Sequence, residues 1–144
     1  MNMIEAVRSY IQSCPAIQES SHRVNVDWLD KKAKSLAIET TPMQPIVKSY
    51  INGDAIKQFG FIIATRSAYS QDLQQNTANV ALFEAIAKWL KQQSIAGNLP
   101  ELGDGKQVQK IEALTDGYAY QTDIDTARYQ MQCRVVYYEE GETK

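Results

Sequence analysis

The spacing of apolar positions along the chain switches between a helical and a strand period. Residues 3–13 carry Ile4, Val7 and Ile11 on one stripe, which predicts a helix. Pro15 ends it, because the residue before a proline is pushed out of the helical region. From Gln18 to Asp30 the chain is polar and irregular, with a short apolar alternation at Val24, Val26 and Trp28. Residues 34–40 predict a strand, with Leu36 and Ile38 on one side and Ala37 and Glu39 on the other. Pro42 and Pro45 mark the connection to a second strand at 46–51. Asn52-Gly53-Asp54 then predicts a tight turn, since Asn and Gly tolerate positive φ. The third strand, 56–66, holds Phe59, Phe61, Ile62 and Ile63, a run that suits a strand covered on both faces.

The centre reads as one long helix from Asp72 to about Gln93. Asp72 is a good N-cap, and Gln75 three residues later completes a capping-box variant. Ala78, Leu82, Ile86 and Trp89, with Val80, Phe83, Ala87 and Leu90, form a wide apolar face. Gly97 and Pro100 supply the stop. After a loop at 98–106, residues 107–115 predict a strand, and 116–125 a wide hairpin tip with two tyrosines. Residues 127–138 alternate most cleanly: Tyr129, Met131, Cys133, Val135 and Tyr137 against Arg128, Gln130, Gln132 and Arg134. The expected fold is therefore α+β: a mostly antiparallel mixed sheet of about five strands, one long helix on one face, and a short N-terminal helix. A single domain covers 1–144, with 139–144 as a frayed tail.

Composition narrows the function more than it defines it. The chain has 144 residues, 44% of them hydrophobic and 22% charged, with a formal net charge of −2. The hydrophobic and charged shares are ordinary for a globular protein, and the charge gives no electrostatic ground for binding nucleic acid. No stretch approaches the roughly 20 apolar residues of a membrane span, and the N-terminus does not read as a signal peptide. One histidine and two cysteines leave little for histidine-based catalysis or a zinc site. Cys14 and Cys133 read as reduced thiols of a protein made in the cytosol.

No motif in the chain calls for a cofactor or metal. Gly103-Asp104-Gly105-Lys106 lacks the strand–loop–helix setting of a phosphate loop and reads as a turn. Asp116, Asp123 and Asp125 do not match the spacing of a calcium loop. His22 has no implied acid or nucleophile beside it, and no Gly-x-Ser-x-Gly elbow frames a serine. Arg66, at a strand end, could pair with Asp72 or with a neighbouring subunit. Tyr118 and Tyr120, at a hairpin tip, suit an interface, where tyrosine offers wide contact and a polar end. Arg66, Tyr69, Asp72, Tyr118 and Tyr120 are the candidate subunit-interface residues.

The strand Phe59–Arg66, the segment Tyr69-Ser70-Gln71-Asp72 with Asn76, Phe83-Glu84 and Trp89, Leu99-Pro100 with Leu102, and Ala127-Arg128-Tyr129-Gln130 ending in Tyr137-Tyr138 follow one another in a telling order. In that order and spacing, over residues 35–138, the chain resembles the small tail-completion (tail terminator) or minor capsid proteins of long-tailed phages and prophages of Gram-positive bacteria. The resemblance implies a non-enzymatic virion protein, made in the bacterial host's cytoplasm. It would assemble as a hexameric ring that caps the tail tube or joins head to tail. Its partners would be further copies of itself, tail-tube proteins and head-completion proteins, met through loops 41–45, 98–106 and 116–125. No active-site residue follows from it. The alternative is a small-molecule-binding domain or enzyme with a cleft near Arg66, Tyr69 and Tyr129.

Overall fold

The computed structural model describes residues 3–19, 23–26, 35–68, 73–121 and 126–141, with side chains for 3–18, 36–65, 80–117 and 129–141. The five expected strands are all present, as β2 (Ser35–Thr40), β3 (Ile46–Ser49), β4 (Ala55–Ala68), β5 (Lys106–Ala113) and β7 (Thr126–Glu139). Two short strands join them, β1 (Arg23–Val26) and β6 (Tyr118–Gln121). Both correct the expectation: β1 lies in the stretch expected to be irregular, and β6 in the expected hairpin tip. The helices are α1 (Met3–Gln12), α2 (Pro15–Glu19) and α3 (Leu73–Ala96). Pro15 does end α1, but it also opens α2, because a proline at the first helical position lacks only an N–H that would go unpaired there. Helix α3 starts directly after Asp72, whose expected capping role lies outside the described residues.

The frame of the sheet is the antiparallel pair β4–β7, which stays in register over fourteen residues, from Ala55↔Glu139 to Ala68↔Thr126. Each long strand carries two shorter ones along its outer edge. On β4 these are β2, which pairs with Phe61–Thr65, and β3, which pairs with Ala55–Lys57. On β7 they are β5 and β6. The breaks between short strands are stitched by the backbone. The Thr41 N–H donates to the Gly60 carbonyl, and the Leu114 N–H to that of Gln132. The sheet is mixed as expected, since β1 runs parallel to β2 while the other pairs are antiparallel.

All helices that pack do so on one face. Val7 and Ile11 of α1, Cys14, Ile17 of α2, and Leu82, Phe83, Ile86 and Leu90 of α3 share one core. The sheet side is Leu36, Ile38, Phe61, Ile63, Ile111, Met131, Cys133 and Val135. The expected apolar face of α3 holds for its centre, but Val80 is exposed, at the rim rather than in the core. Helix α1 is clamped to α3 by Tyr10, whose ring lies 5.0 Å from that of Trp89. The Tyr10 hydroxyl donates to the Asn98 carbonyl at 2.6 Å. Burial, with nearby Cys14 adding to it, pushes this hydroxyl up to about 12. At the other flank, Ser94 Oγ donates to the Ile111 carbonyl (2.8 Å) and accepts from the Ile111 N–H (3.1 Å). One side chain thus caps the outer edge of β5 at Ile111 and sets α3 against it.

Residues 139–141 of the segment expected to be a frayed tail are held in the fold, and 142–144 lie outside the described residues. Glu139 is the last residue of β7, and its carboxylate meets Lys57 Nζ at 2.5 Å. The Glu140 N–H donates to the Gly105 carbonyl, and the Gly141 N–H to Asp54 Oδ1.

Candidate functional site

The sequence-derived interface residues fall unevenly on the fold. Residues directly opposite one another across strands share a sheet face. The register pairs Arg66 with Arg128 and Arg128 with Tyr120, and pairs Tyr118 with Gln130. Positions 66, 118 and 120 therefore share one face, the one turned away from the helices. Tyr69 and Asp72 lie outside the described residues. Tyr129 pairs with Thr65, so it sits on the opposite face from position 66. It packs edge-on against Phe83 and donates to the Gly117 carbonyl. This register does not bring Arg66 and Tyr129 to a common cleft.

The face away from the helices carries a braced polar row beside the buried Ala37, Ala64 and Val136. Arg134 Nε donates to Glu112 Oε2 at 2.6 Å, and its Nη1 donates to Gln58 Oε1 at 2.8 Å. One guanidinium thereby ties β5, β7 and β4 together, using the forked donors that suit arginine to such positions. Burial pulls the Glu112 carboxyl up, but Arg134 and Lys110 together outweigh it and hold it below its usual range. Gln130 and Gln132 stand half-buried in the same row, as the alternation of β7 requires.

Two further features were not singled out by sequence. The first is the β3–β4 hairpin. All four residues of β3 are exposed. Ile46 (45%), Val47 (52%), Tyr50 (37%) and Ile51 (109%) put four large apolar side chains in solvent within six positions. A register shift between Ile46 and Lys48 bulges this edge, which discourages indiscriminate strand pairing. The tip is held rigidly. Gly53 takes φ +96°, as the expected turn requires. The Gly53 N–H donates to the Tyr50 carbonyl and the Tyr50 N–H to that of Asp54. Asp54 accepts from the Tyr138 hydroxyl, from the Gly141 N–H (2.7 Å) and from Asn52 Nδ2 (3.2 Å). A Cβ on Gly141 would fall 2.5 Å from the Gly53 carbonyl carbon, so turn and chain end meet backbone to backbone.

These contacts have a pH signature. The Gly141 N–H first, then the Tyr138 hydroxyl, hold Asp54 below the usual carboxylate range. The bond to Asp54 in turn pushes Tyr138 up to about 12. A depressed carboxyl stabilises the fold above its unfolded pKa and loses that effect as pH falls through the folded value. A raised tyrosine stabilises below its unfolded value and loses the effect as pH rises towards about 12. Asp54→Ala is thus expected to lower the melting temperature at neutral pH, with a deficit that closes on acidification. Paired thermal melts across pH check this; a deficit that stays unchanged on acidification would contradict it.

The second feature is a groove of about 850 Å³ between the end of α3 and β5, lined by Ala87, Ile95, Ala113, Leu114, Lys91 and Asp116 among others. Ile95 (79%) and Leu114 (42%) leave much of its apolar wall in solvent. Alternation along β5 turns the outward backbone groups of Ala113 the same way as those of Ile111, which Ser94 occupies.

Among the described residues no three His, Cys, Asp or Glu side chains are grouped to hold a metal ion. Both cysteines are buried and unbridged, and burial pushes both thiols up, away from the reactive thiolate. No described helix is long and apolar enough to cross a membrane. No protein-family model matches the chain, and no curated protein does. The fold defines it as an α+β protein with helices on one sheet face and a braced row of polar side chains on the other.

Proposed function

We propose that the chain is a structural virion protein of phage or prophage origin, which forms a ring that caps the tail tube or joins head to tail. The observation that carries this reading is the β3–β4 hairpin, where Ile46, Val47, Tyr50 and Ile51 are all exposed within six positions. Isolated apolar residues on a surface mean little, but contiguous ones mark contact sites. The resemblance of the segment order over 35–138 to tail-completion proteins supports this class of assembly. A heterologous contact repeated by rotation closes into a ring where the rotation allows, and the polar row of Gln130, Gln132 and Arg134 offers a second surface for the tube. Light scattering across a concentration series, with and without purified tail tubes, tests this. A discrete oligomer, free or on the tubes, is expected. A monomer at every concentration that also fails to bind tubes would contradict it.

A further inference from the structure

We infer that copies of this chain join head to tail, with the β3–β4 hairpin tip of one copy seated in the α3–β5 groove of the next. This rests on the ring-forming reading and names the surfaces that would build it. The two features lie on opposite edges of the sheet, since β3 flanks β4 and β5 flanks β7. A contact between them uses different patches on each copy, so it repeats in one direction and closes where the rotation allows.

An apolar knob on one edge has an apolar groove as its counterpart on the other. Ile51 is fully exposed on a turn that Asp54 locks to Tyr138 and Gly141. A knob held in its bound conformation loses little entropy on docking. The groove offers Ala87, Ile95, Ala113 and Leu114 as an apolar wall, and its size is that of clefts that bury a compact apolar group. Lys48 on the hairpin lies over the Tyr50 ring, 5.2 Å from its centroid. On the groove, Glu112 is engaged by Arg134 and Lys110; Lys91 and the exposed Asp116 are the other charged lining residues, and Asp116 is the carboxylate within the groove for that lysine. The bulge in β3 makes a continuous added strand unfavourable, so side chains carry the contact and supply its specificity.

Crosslinking tests the arrangement cleanly, because both native cysteines are buried. Ile51→Cys and Leu114→Cys chains are to be mixed and treated with a short bis-maleimide, alone and on tail tubes. Crosslinked dimers are expected from the mixture and not from either variant alone. The doubly substituted chain is expected to give a ladder that stops at the ring. Ile51→Asp, at an exposed site, is expected to weaken assembly about tenfold or more while leaving the melting temperature unchanged. Efficient crosslinking of Ile51→Cys to itself would overturn the head-to-tail arrangement, and so would normal assembly of Ile51→Asp. A ring without crosslinks between positions 51 and 114 would overturn this inference and leave the ring reading standing. A monomer at all concentrations that is absent from tubes would overturn both.

Discussion

Phe61→Ala is expected to destabilise the protein by about 3–5 kcal/mol, the range for truncating a buried aromatic residue. Phe61 is fully buried and sits at the centre of the sheet, opposite Thr40 on one side and Cys133 on the other. Its ring belongs to the core shared by helices and sheet, so a cavity there weakens the contact between the two layers rather than one strand. Against a total stability of about 5–15 kcal/mol, such a loss leaves the fold marginal at physiological temperature. Chemical denaturation of wild type and variant measures it. A loss below about 1 kcal/mol would mean that the helix layer does not rest on the sheet as described.

The next largest effect is expected at Gly117. A Cβ there would run into the Tyr129 ring and come within 3.0 Å of Phe83 Cδ2. Tyr129 cannot swing away without losing its 3.0 Å hydrogen bond to the Gly117 carbonyl and its edge-on contact with Phe83. Gly117→Ala is therefore expected to cost about 1–3 kcal/mol, as overpacking does when the neighbours cannot yield. The cost should appear as a lower denaturation midpoint and a changed near-ultraviolet tyrosine signal. An unchanged midpoint would contradict the close packing of the β5–β6 connection on Tyr129.

The long elements were legible because their periodicity is carried by many residues. The alternation from Tyr129 to Tyr137 correctly assigned the core face of β7, and Leu82, Phe83, Ile86 and Leu90 correctly assigned the buried stripe of α3. The short strands were not. β1 offers only Val24 and Val26 in a polar stretch, and its partner β2 lies beyond an intervening segment in a parallel pairing. β6 is four residues flanked by turn-formers, so its local composition argues for the loop that was expected. Val80 has a helical spacing that suits burial, but spacing along a helix does not reveal where the sheet beneath it ends.

The same distinction holds for the contact surfaces. Arg66, Tyr118 and Tyr120 stand out by residue type, and only the strand register shows that their positions share the face away from the helices. Ile51 was read as the end of a strand. Its exposure follows from the Asn52-Gly53-Asp54 turn, which points it past the last cross-strand partner. The hold of Asp54 on Tyr138 and Gly141 joins residues more than eighty positions apart, and no local pattern announces it. Glu139–Gly141 has the composition of a solvated tail, yet the missing side chain of Gly141 is what lets it lie against Gly53.

The central claim is that this chain works by assembling at the end of a phage tail. Electron cryomicroscopy of purified tail tubes incubated with the protein tests it most directly. The account predicts a closed ring of copies at one end of the tube, with the β3–β4 hairpin of each copy in density continuous with its neighbour. Bare tube ends, beside a protein that stays monomeric at the concentrations used, would contradict it.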